Sequence, residues 1–297
     1  LGSAAVMPRP DLNEELDDSQ LTGTVKLAYH PNDNTLTYAS FATGYKAGGT
    51  NTDRILPSLS PLFDAEKSRS AEIGIKHDFE EYGVRVNAAA HYTQISDFQA
   101  TTFTGTGFNL QNAGDIIVKG IELEATWLMT ESTELHAVAS RTLANFDEFK
   151  RGTCWVAYTW HTGIDDPGRV EPNDPFCSRD GDRVGFEPQN SLSLMLNHYF
   201  EVGNYPASAS IDYQYTGDVF LDDANDPYKY ADDFSLFNVR VSFTIPQWDS
   251  EIIAWSRNVF DEEYVARSGF DVPVQTGKIM AYPGAPRSFG VTFRKSF

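Results

Sequence analysis

The chain has 297 residues, of which 41% are hydrophobic and 13% aromatic, and its formal net charge is -19. That acidic excess excludes a nucleic-acid partner, since phosphate backbones are gripped by clustered Lys and Arg. No stretch approaches the roughly 18 consecutive apolar residues of a membrane helix, which excludes helical spans but not strands that alternate between lipid and lumen.

Leu1 to Gln20 shows no positive segment followed by an apolar core and a small-residue cleavage site, so no signal peptide is read there. From residue 21 onward the side chains alternate with period two in about eleven segments, several near the ten-residue length of a tilted membrane strand. They fall at 21–29, 35–45, 68–79, 84–99, 115–129, 134–146, 190–200, 207–217, 234–245, 250–259 and 286–297. Val84, Val86, Ala88, Ala90 and Tyr92 alternate with Arg85, Asn87, Ala89, His91 and Thr93, and Ile121, Leu123, Ala125 and Trp127 alternate with Glu122, Glu124 and Thr126. Helical spacing explains neither run. In 35–45 both faces carry aromatic and small residues, and in 134–146 Arg141 interrupts the more apolar face. The last segment sets Phe289, Val291, Phe293 and Phe297 against Ser288, Gly290, Thr292 and Ser296.

The connections alternate in length. Short turns near 31–34, 80–83, 130–133, 201–206 and 246–249 carry mainly turn-forming residues, and long loops span 46–67, 100–114, 147–189, 218–233 and 260–285. Short turns at one end and long loops at the other is the layout of an outer-membrane barrel, with the short turns in the periplasm. A final strand running inward then puts residues 1–20 outside the cell, as the remnant of an extracellular loop, and leaves 21–297 as barrel wall. An odd number of antiparallel strands cannot close on itself, and lipid tolerates no open edge. The expectation is therefore an all-β chain forming the C-terminal part of a larger transmembrane barrel.

Several segments carry a resemblance: Tyr38-Ala-Ser-Phe-Ala-Thr-Gly-Tyr-Lys-Ala-Gly-Gly49, Ser70-Ala-Glu-Ile-Gly-Ile-Lys76, Tyr92-Thr-Gln-Ile-Ser-Asp-Phe-Gln99, Asn112-Ala-Gly114 leading to Lys119-Gly-Ile-Glu-Leu-Glu124, Asn258-Val-Phe-Asp-Glu-Glu-Tyr264, and Pro286-Arg-Ser-Phe-Gly-Val-Thr-Phe-Arg-Lys-Ser-Phe297. In this order they resemble the TonB-dependent receptors of Gram-negative outer membranes. The resemblance implies a barrel of about twenty-two strands around an N-terminal plug. It further implies uptake of a ferric siderophore, haem, cobalamin or oligosaccharide, powered through the TonB complex. This sequence departs from it in having no plug, no TonB box and about half the strands. The terminal Phe297 resembles the signal by which the barrel assembly machinery recognises its substrates.

Glu72, Glu122 and Glu124 fall opposite Ile73, Ile121 and Leu123, hence on the lumen or plug side, because a carboxylate facing lipid is costly. Cys154 and Cys177 share one long polar segment and are expected to form a disulfide in an oxidising compartment. The loop holding them contains Trp155, Tyr158, Trp160 and His161, which either stack on an external small-molecule ligand or pack the loop against itself. The acidic clusters Asp165-Asp166, Asp180-Gly-Asp182, Asp222-Asp223 and Asp232-Asp233 read as solvated loops rather than a divalent-cation site. No Ser-His-Asp or HExxH arrangement and no Cys/His cluster is present, so neither catalysis, cofactor nor metal is expected. Two other readings are a self-contained outer-membrane pore or adhesin, and a soluble β-rich lectin or enzyme.

Overall fold

The computed structural model describes residues 13–51, 60–103, 108–112, 114–172, 174, 176–272 and 275–296. Its body is one antiparallel sheet of eleven strands that follow one another in chain order. They are β1 (Gly23–Asn32), β2 (Thr35–Lys46), β3 (Glu66–Phe79), β4 (Val84–Ser96), β5 (Asp115–Thr130) and β6 (Thr133–Glu148). The remainder are β7 (Asn190–Val202), β8 (Tyr205–Thr216), β9 (Phe234–Ile245), β10 (Ser250–Arg257) and β11 (Ser288–Lys295). β1 and β11 form the two edges. Every expected segment is a strand of this sheet, and no helix is long and apolar enough to cross a membrane, which says nothing of strands.

Alternation sorts the wall into two faces. In β3, Lys67, Arg69, Ala71, Ile73 and Ile75 are exposed while Ser68, Ser70, Glu72 and Gly74 are half-buried. The register aligns Ile75 with Ala88, Ala88 with Leu123 and Leu123 with Ala139, so the apolar face is continuous across four strands. Ile73 is 63% exposed on this face, an exposure that water penalises and hydrocarbon does not. The opposite face is stitched by short side-chain bonds between strands, including Ser140 to Ser191 at 2.7 Å, Ser208 to Ser242 at 2.8 Å and Ser210 to Asn197 at 2.7 Å. On it, aromatic rings lie over glycines of the next strand: Tyr38 over Gly74 and Trp255 over Gly290, where an added Cβ would sit within 2.6 Å of the ring.

Two strands stop short of the periodicity at a left-handed residue. The segment expected to reach residue 99 stops at Ser96 because Asp97 takes φ 55°, and the one expected to reach 259 stops at Arg257 because Asn258 takes φ 48°. A left-handed residue turns the chain out of the sheet, and among residues other than glycine Asp and Asn tolerate it best. Each long loop also contains a small antiparallel ladder invisible to period counting. They pair Gly49–Thr50 with Leu62–Phe63, Gln99–Phe103 with Phe108–Asn112, and Gly152–Thr153 with Phe176–Cys177. Val219–Phe220 pairs with Tyr230–Ala231, and Val265–Asp271 with Ile279–Pro283. A buried apolar cluster of Ala100, Ile116, Phe146 and Phe149 sits at the long-loop end. Asp18 lies at the same end, accepting the Gly48 N–H at 3.3 Å.

Candidate functional site

The loop from β6 to β7 and the loop from β8 to β9 form one compact module on the long-loop end. A disulfide joins Cys154 to Cys177, closing a sequence separation of 23. Directly after Cys154 comes a short helix, α1 (Ala157–Thr162), whose first N–H groups have no partner within the helix. Asp226 from the other loop supplies it: the carboxylate accepts the N–H groups of Val156 at 3.1 Å, Ala157 at 2.9 Å and Tyr158 at 3.2 Å. Asp226 is 0% exposed and also accepts the Tyr228 N–H at 3.0 Å, capping the single turn Pro227–Lys229.

A second lock is the Arg179–Asp166 pair at 2.5 Å, with Arg179 2% exposed. Asp166 also accepts the Trp155 N–H at 2.8 Å and the Gly168 N–H at 2.8 Å, while Arg179 donates to the Ala224 carbonyl. Such a pair is stable in a dry setting only because both ions also hydrogen-bond elsewhere. Lys229 contacts Asp222 at 2.7 Å, and Arg183 contacts Asp218 at 2.6 Å. Burial pushes the Asp222 carboxyl above the usual carboxylate range against the opposing pull of Lys229. Burial likewise raises Asp223, which accepts the Gly185 N–H at 2.9 Å. The Arg183 guanidinium holds Asp218 below that range.

These contacts correct the reading of solvated loops for Asp166, Asp222 and Asp223, while Asp165, Asp180, Asp232 and Asp233 are exposed as that reading expects. Asp166, Asp222 and Asp223 face inward because buried cations and backbone N–H groups offset their desolvation. The sequence held one signal for this: Asp226 precedes Pro227, the arrangement of a helix cap followed by proline at the first turn. That the same carboxylate caps a helix 69 positions away carries no local signature.

The aromatic residues singled out in the loop are brought together. Trp155 and Tyr158 meet edge-on with ring centroids 5.3 Å apart, and Tyr158 and His161 reach Tyr228 at 5.6 and 5.2 Å. Trp155 donates its indole N–H to the Ala224 carbonyl at 2.9 Å, so its ring is anchored in the module. His161 Nε2 lies 2.8 Å from the Gly277 carbonyl of a third loop, and Trp160 lies against Gly277 with 64% of its surface exposed. Trp160, Ile164, Val170 and Tyr228 are all exposed on this module. Lys46 meets Glu66 at 3.6 Å. Phe297 lies outside the described residues.

Glu72, Glu122 and Glu124 share the polar face of the wall. Tyr38 donates its hydroxyl to Glu72 at 2.7 Å, and Asn87 donates to Glu124 at 2.9 Å. Glu122 stands beside Ala89 and Ser140. They form a group separate from the loop aromatics.

A sheet with an exposed apolar face, short turns at one end and a stiffened loop module at the other is part of the wall of a membrane β-barrel. The profile of the family described as TonB dependent receptor-like, beta-barrel matches residues 8–259, and the chain belongs to that family. It is 34% identical over 129 residues to the pesticin receptors of Yersinia enterocolitica and Yersinia pestis, a match covering 42% of this chain and 18% of those proteins. Its fold is similar to the ferric yersiniabactin uptake receptor FyuA from Yersinia pestis, with a TM-score of 0.73, 21% identity, and coverage of 94% of this chain and 38% of that one. The siderophore receptor PiuA from Acinetobacter baumannii gives a TM-score of 0.63 at 17% identity, covering 92% of this chain and 35% of that one. The family is one of transport receptors in Gram-negative outer membranes.

Proposed function

We propose that this chain forms the C-terminal strands of an outer-membrane receptor that takes up a ferric siderophore, with energy delivered by the TonB complex through a plug and further strands outside the chain. The observation that carries this reading is the stapled loop module, which holds Trp160, Ile164, Val170 and Tyr228 exposed above the wall. Siderophores of the catecholate and phenolate kinds present aromatic rings, and exposed Trp and Tyr stack on such rings. The relatives that resemble this chain include uptake receptors for ferric yersiniabactin and ferric catecholates. In this reading residues 1–20 lie outside the cell, Glu72, Glu122 and Glu124 face the lumen or plug, and Phe297 serves assembly. Further strands cover the edges β1 and β11, since an uncovered edge in hydrocarbon leaves backbone groups without partners.

The test is radioiron uptake from ferric yersiniabactin and from a ferric catecholate by cells carrying or lacking the full-length protein, with and without TonB. Uptake that requires both the protein and TonB is expected for one of the two chelates, and Trp160→Ala should weaken its binding roughly tenfold. Uptake of neither chelate would sink the siderophore reading and leave haem, cobalamin or an oligosaccharide.

A further inference from the structure

We propose that the apolar face carries a binding site for a phosphate-bearing anionic lipid, built from Arg69, Lys119 and Arg141. The inference rests on the barrel spanning a membrane and adds a specific lipid partner to it.

The three cations come from different strands yet stand at one height. Arg69 lies ten residues from the short-turn end of β3 at Phe79, Lys119 eleven from the end of β5 at Thr130, and Arg141 eight from the end of β6 at Thr133. At about 3.3 Å per residue and a tilt of roughly 40°, these counts put all three about 20–28 Å above the short turns, which matches an apolar band of about 25 Å. Tyr45, Tyr92 and Tyr215 lie on the same face ten, eight and ten residues from the short-turn ends of β2, β4 and β8. Tyrosines at that height mark the boundary between hydrocarbon and headgroups.

Face and register agree. Lys119 is opposite Tyr92, Arg141 is opposite Ile121, and Ile121 is opposite Ala90. All three cations are exposed. Among the described residues neither Arg69 nor Lys119 makes an ion pair, and Arg141 gives one N–H to Asn190 Oδ1 at 3.0 Å. Between this height and the short turns the apolar face of the eleven strands bears no Asp or Glu, although the chain has 42. Just above, Asp115 accepts the Asp97 N–H at 3.4 Å and faces Gln94 and Ser96, and Glu148 opposite it pairs with Lys150 at 2.6 Å. A cationic row in a chain of net charge -19, at headgroup height and cleared of acids, is complementary to lipid phosphates.

Below the row the wall has room for acyl chains. In its middle β4 presents the small Ala88 and Ala90 on this face, between Ile73 and Ile75 on one side and Ile121 and Leu123 on the other, lining with Ala139 and Arg141 a shallow groove of about 790 Å³. Chains lying in this groove would put their headgroup phosphates at Arg141 and Lys119.

The test uses the full-length protein, extracted in detergent, delipidated and returned to nanodiscs of phosphatidylcholine with or without phosphatidylglycerol, with bound lipid read by native mass spectrometry. Wild type should retain phosphatidylglycerol over phosphatidylcholine, and the triple variant R69Q/K119Q/R141Q should lose that preference by roughly tenfold to a hundredfold. K76Q, which removes a cation from the polar face, should leave it intact, and heat-modifiable migration on a gel should show every variant folded. Equal retention by wild type and triple variant overturns the proposal, as does displacement of the lipid by inorganic phosphate alone, which would mark a free-anion site. Extraction without detergent would instead overturn the membrane reading itself.

Discussion

Asp226 accepts the Ala157 N–H at 2.9 Å, with both residues buried and 69 positions of sequence between them. One carboxylate thereby starts a helix in the β6–β7 loop and a turn in the β8–β9 loop, and ties the two loops into a single body. Asp226→Ala should leave several buried N–H groups without an acceptor and destabilise the module by roughly 1–3 kcal/mol. Hydrogen exchange of the amides of residues 156–158 should quicken by ten- to hundredfold while strand amides stay protected. Unchanged exchange there would show that the cap is dispensable.

The Arg179–Asp166 pair gives a prediction of opposite logic. Removing Arg179 alone strands the Asp166 carboxylate away from water and should cost about 3–5 kcal/mol of module stability, whereas removing Asp166 leaves Arg179 paired with Asp182 at 3.3 Å and should cost less. Replacing both with apolar residues of similar volume should cost less than removing Arg179 alone, the remaining cost being the Trp155 and Gly168 N–H groups that lose their acceptor. Limited proteolysis between residues 147 and 189 reads the difference, and a double variant as fragile as the Arg179 single would refute the account.

Acid and base act on this module through different carboxyls. Asp223 has a raised folded-state pKa, so the folded module binds more protons than the unfolded one, and its stability falls as pH rises from the ordinary carboxylate value through the raised one. Asp223→Asn should remove that loss, because the amide oxygen still accepts the Gly185 N–H. Asp218 has a lowered pKa, so its stabilisation is complete above the unfolded value and disappears as pH falls through the folded one. Asp218→Asn should therefore weaken the module at neutral pH and flatten its acid limb. Asp222→Asn should destabilise at neutral pH despite the raised pKa, since it removes the carboxylate facing buried Lys229. Proteolysis rates of the module across pH 3 to 8, roughly spanning these carboxyls, separate the three variants.

In the wall, an added Cβ at Gly74 would lie 2.5 Å from Tyr38 Cε1. Gly74→Ala should push the ring aside, break its 2.7 Å bond to Glu72 and cost roughly 1–3 kcal/mol. The folded fraction on a heat-modifiability gel should drop, and adding Tyr38→Ala should restore it. Failure of that rescue would place the cost elsewhere.

The strands were legible because lipid and lumen impose opposite polarities on successive residues, as the run from Val84 to Thr93 shows. Their ends at Asp97 and Asn258 were not, since a left-handed backbone leaves no mark on hydrophobic period. Trp155, Tyr158, Trp160 and His161 were legible as an aromatic cluster in a long loop. That Tyr158 and His161 meet Tyr228 while Trp160 stays 64% exposed depends on a loop distant in sequence.

The sequence by itself thus determined the eleven strands, their two faces and the split between short turns and long loops, because each of these is a local, periodic property. Only the tertiary structure decided which acids of the loops are buried, what they cap and which cations they meet. The same holds for the row of Arg69, Lys119 and Arg141, whose common height emerges only when the register sets four neighbouring strands side by side. Register and loop docking are long-range pairings, and neither has a signature within a few residues of the chain.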